Sequence, residues 1–218
     1  MPMRILLIDH GCCDPPATRV HACREQLERL GAVPLACGPA SVPSIEAQVP
    51  GLHGIHLHAI AAASRVFLIA IHDGSPAAFL AATASISPRL LGSVRETARQ
   101  TIAEAVDAFD PDAIFVLHAG ILADLAIETG VPVAIHVAAG DLAVAKADGR
   151  IGDLVAAALG SAEAIAAEDE ATAATIARDW LDHDDAADRQ QIAVFPADTE
   201  QAAQMLAACE QALARRRG

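Results

Sequence analysis

The fold is decided by the stretch Met3–Cys37, which reads MRILLIDHGCCDPPATRVHACREQLERLGAVPLAC. Residues 4–9 form an apolar run between two charged residues, the pattern of a strand buried on both faces of a sheet. Residues 18–30 place apolar side chains at helical spacing and end at Gly31, a residue type that commonly terminates helices. Residues 33–37 form a second short strand. A strand, a helix and a strand in this order predict a parallel sheet.

The same alternation continues to the end of the sequence. Further strands are predicted over 54–60, 65–72, 113–117, 131–137, 162–167 and 192–195, and further helices over 87–109, 122–129, 148–159, 169–181 and 199–216. We therefore predict an α/β fold, a Rossmann-like doubly wound and mainly parallel sheet with helices on both faces. No repeat or low-complexity linker interrupts the pattern, so 1–218 is predicted to form a single domain.

Composition and charge limit the classes of partner. Hydrophobic residues make up 53% of the chain and the formal net charge is −13. Nucleic acid is not expected to bind, because binding it requires a basic face. No secretory signal and no apolar run of membrane-spanning length is present, so we expect a cytoplasmic protein without a transmembrane segment. The five cysteines match no zinc or redox spacing and are expected to be reduced thiols.

Ligands of doubly wound sheets bind beyond the C-terminal ends of the strands, so the residues at those ends are the candidates for a site. Four clusters lie there: His10-Gly11-Cys12, His72-Asp73-Gly74, His118-Ala119-Gly120 and Ala138-Ala139-Gly140-Asp141. A histidine at such a position titrates near neutrality and can accept a hydrogen bond or a proton. The alternative is structural, because His118 and Asp141 are each also placed to cap the helix that follows.

Several segments, in this order and spacing, resemble a known family. They are RILLID at 4–9, EQLERLG at 25–31, FDPDAIFVLHAG at 109–120, GVPVAIHVAAGDL at 130–142, AIAAEDEATAATIA at 164–177 and IAVFPADTE at 192–200. Together they resemble the N-terminal, acceptor-side domain of GT-B-fold glycosyltransferases of the family-4 type. The resemblance covers most of the chain and is least clear over 38–86.

This resemblance implies transfer of a sugar from a nucleotide sugar to a hydroxyl acceptor, in a crevice between two domains. The donor-binding C-terminal domain of that family has no counterpart in the sequence. The chain is therefore expected to be inactive alone, to bind no cofactor itself, and to meet a nucleotide sugar only with a donor domain. Its expected partners are a donor-domain chain or a second copy of itself, and a glycan or small polar acceptor. The resemblance implies catalytic roles for His118 and His136, and substrate binding by His10, Gly11, Gly120 and Asp141.

Two departures from the family pattern support a second hypothesis. The opening loop reads Asp14-Pro15-Pro16-Ala17 where the family has a glycine pair, and proline offers no N–H to a phosphate. We therefore predict that this loop does not bind a nucleotide. The family's histidine after the strand predicted at 131–137 falls on Ala138, with His136 two residues earlier. The alternative is a non-catalytic module, derived from that domain, which binds a small ligand or a partner.

Three other groups of residues carry weaker hypotheses. His56 and His58, with His53, could bind a metal from one strand face, or could form a solvated strand face. Cys12 and Cys13 beside His10 could form a reactive or metal-binding pair, or could be small buried hydrophobic residues. The basic end Arg215–Arg217 is expected to be the solvated end of a helix.

Overall fold

The computed structural model describes residues 1–11, 18–40, 51–57, 64–73, 75–181, 192–195 and 201–217. These residues contain the strands β1 (Arg4–Ile8), β2 (Val33–Ala40), β3 (Leu52–His56), β4 (Ala113–Val116), β5 (Val133–Val137), β6 (Ala164–Ala167) and β7 (Ile192–Val194). Their helices are α1 (Thr18–Arg29), α2 (Arg65–Asp73), α3 (Pro76–Ser85), α4 (Pro88–Phe109), α5 (Ala123–Glu128), α6 (Ala139–Ala147), α7 (Gly149–Ser161), α8 (Glu170–Asp179) and α9 (Gln201–Arg217).

The strands form one seven-stranded sheet in the order β3-β2-β1-β4-β5-β6-β7. Every pairing is parallel. This confirms the predicted Rossmann-like α/β fold. The strand order reverses between β1 and β4, where Ile5 pairs with Ala113 and Ile8 with Val116. Such a switch point opens a crevice at the C-terminal ends of its two strands, the usual ligand site of this architecture.

Both faces of the sheet are covered, because successive side chains of each strand point in opposite directions. On one face, Leu6 and Ile8 of β1 pack in a core shared with helices α4, α5, α6 and α7. On the other face, Ile5 and Leu7 pack in a second core with α1 and α9. Small residues dominate β6 and much of α9, which brings helix and sheet backbones close together.

One predicted strand is wrong. Residues 65–72 lie in helix α2, not in a strand, so His72-Asp73-Gly74 does not follow a strand of the sheet. Phe67, Ala70 and Ile71 are buried while Val66 and Ile69 are each 58% exposed. This is the spacing of a helix with one buried side. A short apolar run fits a strand and a helix equally well by periodicity, and here tertiary packing selects the helix.

Two helices, α3 and α6, lie where no separate helix was predicted. Ser75 caps α3 by accepting the Ala78 backbone N–H, and Ser87 caps α4 in the same way through Leu90. Each serine is followed by a proline at the first helical position. A serine followed by a proline is a common start of a helix. The stretch that follows Ser75 is rich in alanine and has little amphipathic pattern, so apolar spacing alone does not indicate a helix there.

The C-terminal basic end is exposed at Arg215 and Arg216, as predicted for the solvated end of a helix. Arg215 donates to the Glu163 backbone carbonyl and Arg216 pairs with the Glu163 carboxylate at 3.3 Å, which ties the end of α9 to the segment before β6. The helices among the described residues include none that is both long enough and apolar enough to span a bilayer.

Candidate functional site

Three histidines form a row at the C-terminal edge of the sheet, across the switch point. His10 follows β1, His118 follows β4, and His136 lies near the end of β5. The ring centroids of His10 and His118 are 6.3 Å apart, and those of His118 and His136 are 6.5 Å apart, both in edge-to-face arrangement. The two strands of the switch point thus bring together residues that are more than a hundred positions apart in sequence. We call this set the histidine row.

His118 is paired with Asp141. The His118 Nδ1 atom lies 3.1 Å from Asp141 Oδ1. The other oxygen, Oδ2, accepts the backbone N–H groups of Ala119 and Ala138, each at 3.0 Å. Two backbone donors therefore fix the carboxylate, which in turn accepts the His118 Nδ1 proton. This leaves Nε2 as the basic nitrogen of neutral His118, the arrangement in which a carboxylate orients a histidine for proton transfer.

A second carboxylate lies on the opposite side of His118. Asp9 Oδ1 is 3.9 Å from His118 Nε2, and it accepts the Gly11 backbone N–H at 3.0 Å. The predicted ligand residue Gly11 therefore uses its N–H within the protein. Asp9 was absent from the predicted site, although its place at the end of the first apolar run was the signal that could have indicated it. A protonated His118 would lie between two carboxylates.

His10 has a fixed hydrogen-bonding role. Its Nε2 atom accepts the Leu122 backbone N–H at 3.1 Å, at the start of α5. Burial lowers the pKa of His10 to about 3, and the neighbouring His118 adds to this effect while Asp141 opposes it. The ring is therefore neutral at physiological pH. His10, rather than His118, accepts from the backbone at the start of the next helix.

Gly120 allows the row to pack this tightly. A Cβ atom at residue 120 would lie 2.7 Å from His10 Nε2 and even closer to Leu80 Cδ2. Only a residue without a side chain fits between the histidine and the helix above it. The backbone at this position is thus part of the wall of the site.

His136 is oriented by the backbone of the neighbouring strand. Its Nδ1 atom lies 3.2 Å from the Leu117 carbonyl oxygen, which can only accept, so Nδ1 carries the proton. The ring is 4% exposed and packs against His118. Its contact with the His118–Asp141 pair is therefore made from the side of β5.

Helix α3 covers the histidine row. The Phe79 ring lies 6.1 Å from that of His10, and Leu80 packs on Gly120. His10 is fully buried and His118 is 7% exposed. The C-terminal end of α3 is held by Arg150, which donates to the backbone carbonyls of Ala84 and Ile86. The crevice expected to be open at the switch point is therefore roofed by a helix.

The other sequence hypotheses have separate outcomes. The capping alternative for Asp141 is confirmed in part, because Asp141 lies in the first turn of α6 and accepts the backbone N–H of the N-cap residue Ala138. Strand β3 ends at His56, so the shared strand face proposed for His56 and His58 is not formed within that strand, and His58 lies outside the described residues. Cys12 and Cys13 also lie outside them. Within the described ranges, no three His, Cys, Asp or Glu side chains are arranged so that they could hold a metal ion.

Comparison with known proteins identifies the fold and no more. No protein-family model matches the sequence, and no curated protein matches it. A sucrose-phosphate synthase structure from Thermosynechococcus elongatus superposes with a TM-score of 0.60 at 13% identity, covering 99% of this chain and 100% of that one. A MnaA–UDP structure from S. aureus has a TM-score of 0.50 at 12% identity, and a UDP-N-acetylglucosamine 2-epimerase has 0.50 at 11%.

The shared feature is the fold. The parallel Rossmann-like sheet matches neighbours of the GT-B class, as the sequence resemblance had implied. The MnaA and epimerase matches each cover 88% of this chain, and the chain spans 43% and 47% of those two proteins. At identities of 11–13%, the family-4 type and the N-terminal position stay predictions.

Proposed function

We propose that this chain is the acceptor-side domain of a family-4-like glycosyltransferase, which transfers a sugar from a nucleotide sugar to a hydroxyl acceptor. The observation that carries the proposal is the His118–Asp141 pair at the switch point, 3.1 Å apart and buried beside Asp9. A histidine that is oriented by a fixed carboxylate is suited to accept a proton from a hydroxyl group. A fold of the GT-B class supports the same interpretation.

The proposed roles follow from the hydrogen bonds. The acceptor hydroxyl gives its proton to His118 Nε2 while its oxygen bonds to the anomeric carbon of the sugar. The bond from that carbon to the nucleotide phosphate breaks, and the nucleotide leaves. Asp141 keeps the His118 proton on Nδ1 and stabilises the imidazolium that forms. His136 supports the pair from the neighbouring strand, and Gly11, Gly120 and His10 shape the acceptor side.

The donor half of the reaction is assigned to a separate domain, supplied by a partner chain or a longer protein. Two observations support this assignment. The chain spans less than half of the MnaA and epimerase chains that it matches. The formal charge of −13 and the prolines of the opening loop disfavour a phosphate at this sheet edge. The isolated chain is then expected to bind a glycan but to turn over no UDP- or GDP-sugar.

Calorimetry tests this proposal with two panels, one of nucleotide sugars and one of glycans. The Asp141→Asn variant offers an amide N–H₂ to His118 Nδ1 and so forces the proton onto Nε2. We expect it to weaken glycan binding by roughly tenfold or more, because a hydrogen bond to a charged group contributes about 1.5–3 kcal/mol. The matched control is Asp169→Asn, which alters a helix N-cap on a neighbouring strand end. Equal effects of the two variants, or sugar-nucleotide turnover by the isolated chain, would refute the assignment.

A second candidate function is a non-catalytic module that binds a small polar ligand or a partner. The burial of His118, which is 7% exposed, favours it, since chemistry at His118 requires access to the ring, whereas binding of a partner through another surface does not. A pull-down with the purified chain separates the two candidates. A captured donor-type domain that restores sugar transfer supports the enzyme, and transfer must then fall with Asp141→Asn.

A further inference from the structure

One polar atom of the histidine row is a buried donor without an acceptor. His10 Nε2 accepts the Leu122 N–H, so in the neutral ring the proton must reside on Nδ1. His10 is fully buried, and Nδ1 has no hydrogen-bond partner in the part of the chain that the structure describes. A buried N–H that lacks an acceptor is costly, and an oxygen atom of a bound molecule would relieve that cost.

The ring cannot relieve this cost by turning over. A 180° rotation about the Cβ–Cγ bond would replace Nε2 by carbon and leave the Leu122 N–H without its acceptor. Gly120 and Phe79 hold the ring in place, with the Phe79 centroid at 6.1 Å and no room for a Cβ at residue 120. The donor is therefore fixed in both identity and direction.

The surroundings decide what class of acceptor fits. Asp9 and Asp141 both contact His118, whose ring centroid is 6.3 Å from that of His10. His10 itself is neutral and offers a single N–H. An anionic oxygen would meet two nearby carboxylates without a matching positive charge, whereas a hydroxyl oxygen accepts from a neutral donor and can donate its own proton onward.

We propose that the His10 Nδ1–H group binds a hydroxyl oxygen of a neutral polyhydroxylated ligand, and that it selects such a ligand over phosphate-bearing ones. The inference rests on the proposed function, because it assigns the hydroxyl to the acceptor that faces His118. His10 is thereby a specificity-determining residue with a fixed tautomer, distinct from the proton-accepting pair His118–Asp141. Because His10 is fully buried beside Phe79, this binding requires that α3 moves away from the ring.

Two substitutions separate the two nitrogens of His10. In His10→Gln, the side-chain oxygen can take the place of Nε2 and accept from Leu122, and no donor remains at the Nδ1 position. In His10→Asn, the amide nitrogen takes the place of Nδ1 and the Leu122 bond is lost. The first variant is expected to fold with near-normal stability and to lose binding, and the second to be less stable and to retain binding.

The test uses the full chain with methyl α-D-glucopyranoside, methyl α-D-mannopyranoside, methyl β-D-galactopyranoside and, separately, inorganic phosphate, each titrated at millimolar concentration. Binding is measured by calorimetry. The His10 tautomer and its Nδ1 resonance are followed by ¹H–¹⁵N NMR. We expect one glycoside to shift the Nδ1 resonance, with affinity reduced at least tenfold in His10→Gln and changed less than threefold in His10→Asn.

The other outcomes overturn the inference in recognisable ways. A shift of the Nδ1 resonance by phosphate and by no glycoside would refute the ligand class. Glycoside binding with equal affinity in the wild type and His10→Gln would refute the role of His10 and leave the proposed function intact. If no glycoside binds, the inference fails, and the proposed function is then judged separately by the Asp141→Asn comparison and the donor-domain pull-down.

Discussion

A single methyl group at residue 120 tests whether the histidine row is packed as described. In Gly120→Ala, the new Cβ atom lies 2.7 Å from His10 Nε2 and presses on Leu80. The Leu80 side chain can rotate away because its contact is made by a terminal methyl group. The His10 ring cannot, because it is fully buried beside Phe79. The methyl group therefore acts mainly on His10 and on the bond from Leu122.

The expected cost has two parts. Overpacking of a filled core costs about 1–3 kcal/mol. Displacement of His10 Nε2 from the Leu122 N–H removes a hydrogen bond and leaves a buried donor, which costs about 1–3 kcal/mol more. Replacing glycine restricts the unfolded chain and returns about 0.4–1 kcal/mol. The free energy of unfolding is then expected to fall by roughly 1–5 kcal/mol, and a loss of about 3 kcal/mol, near the middle of that range, shifts a urea midpoint by about 1 M at a denaturant slope near 3 kcal/mol/M.

Urea unfolding followed by circular dichroism measures this change. The control is Gly92→Ala, because Gly92 is exposed on helix α4 and a Cβ atom added there would meet no other atom within 4 Å. That variant is expected to gain up to about 1 kcal/mol from helix propensity. Leu80→Ala removes a buried side chain and is itself destabilising, so Gly120→Ala/Leu80→Ala is compared with Leu80→Ala; in that background Gly120→Ala is expected to cost less than in the wild type, and the remaining cost reports the contact with His10. A Gly120→Ala variant as stable as the wild type would refute the close packing of Gly120 against His10.

Three further predictions concern pH, backbone strain and the roof of the site. In the unfolded chain His10 takes up a proton below its ordinary pKa of 6.5, while burial lowers the pKa of the folded ring to about 3. The free energy of unfolding therefore decreases as pH falls below 6.5, by about 1.4 kcal/mol per pH unit. Urea midpoints measured between pH 5 and 7 should depend less steeply on pH in His10→Gln than in the wild type. Asp110 has a φ of 48°, so Asp110→Gly should raise the melting temperature by about 2 °C and Asp110→Ala should lower it. Arg150→Ala removes the bonds to Ala84 and Ile86, so hydrogen exchange should accelerate over 79–86 and not over α1.

Each of these predictions has a result that contradicts it. Identical pH slopes for the wild type and His10→Gln would mean that the ring does not stay neutral on folding. A lower melting temperature in Asp110→Gly would show that this position is not strained. Uniform acceleration of exchange in Arg150→Ala would indicate global destabilisation rather than release of one helix end.

The sheet was predictable because its strands are buried on both faces. Arg4–Ile8 and Ala113–Val116 are almost uninterrupted apolar runs, the second directly after a helix stop signal, and each was placed within one residue of its observed end. Residues 65–72 were misassigned because local pattern alone does not separate a short buried strand from a helix. The choice depends on Phe67 and Ile71 packing into a core formed by residues far away in sequence.

The candidate site was predictable in its location and not in its hydrogen bonding. Strand ends identify His10, His118 and Asp141, because parallel strands all end on one edge of the sheet. That His118 binds Asp141 while His10 binds Leu122 depends on side-chain distances set by the assembled sheet. The roof over the site was missed for the same reason, since the contact of Leu80 with Gly120 joins two segments that share no sequence pattern.

The position of β1 in the middle of the sheet has a consequence for biosynthesis. This strand leaves the ribosome before the other strands of the sheet, but one of its two neighbours, β4, follows much later, and the bond from Arg4 to Asp112 spans 108 residues. At ordinary elongation rates of about 5–20 residues per second, the nascent chain exposes one open, apolar edge of β1 for roughly 5 to 20 s. Through that interval His10 also lacks Leu122, so the polar core of the site is completed late. A chaperone that shields this edge during translation would raise the yield of folded protein more than one added after release.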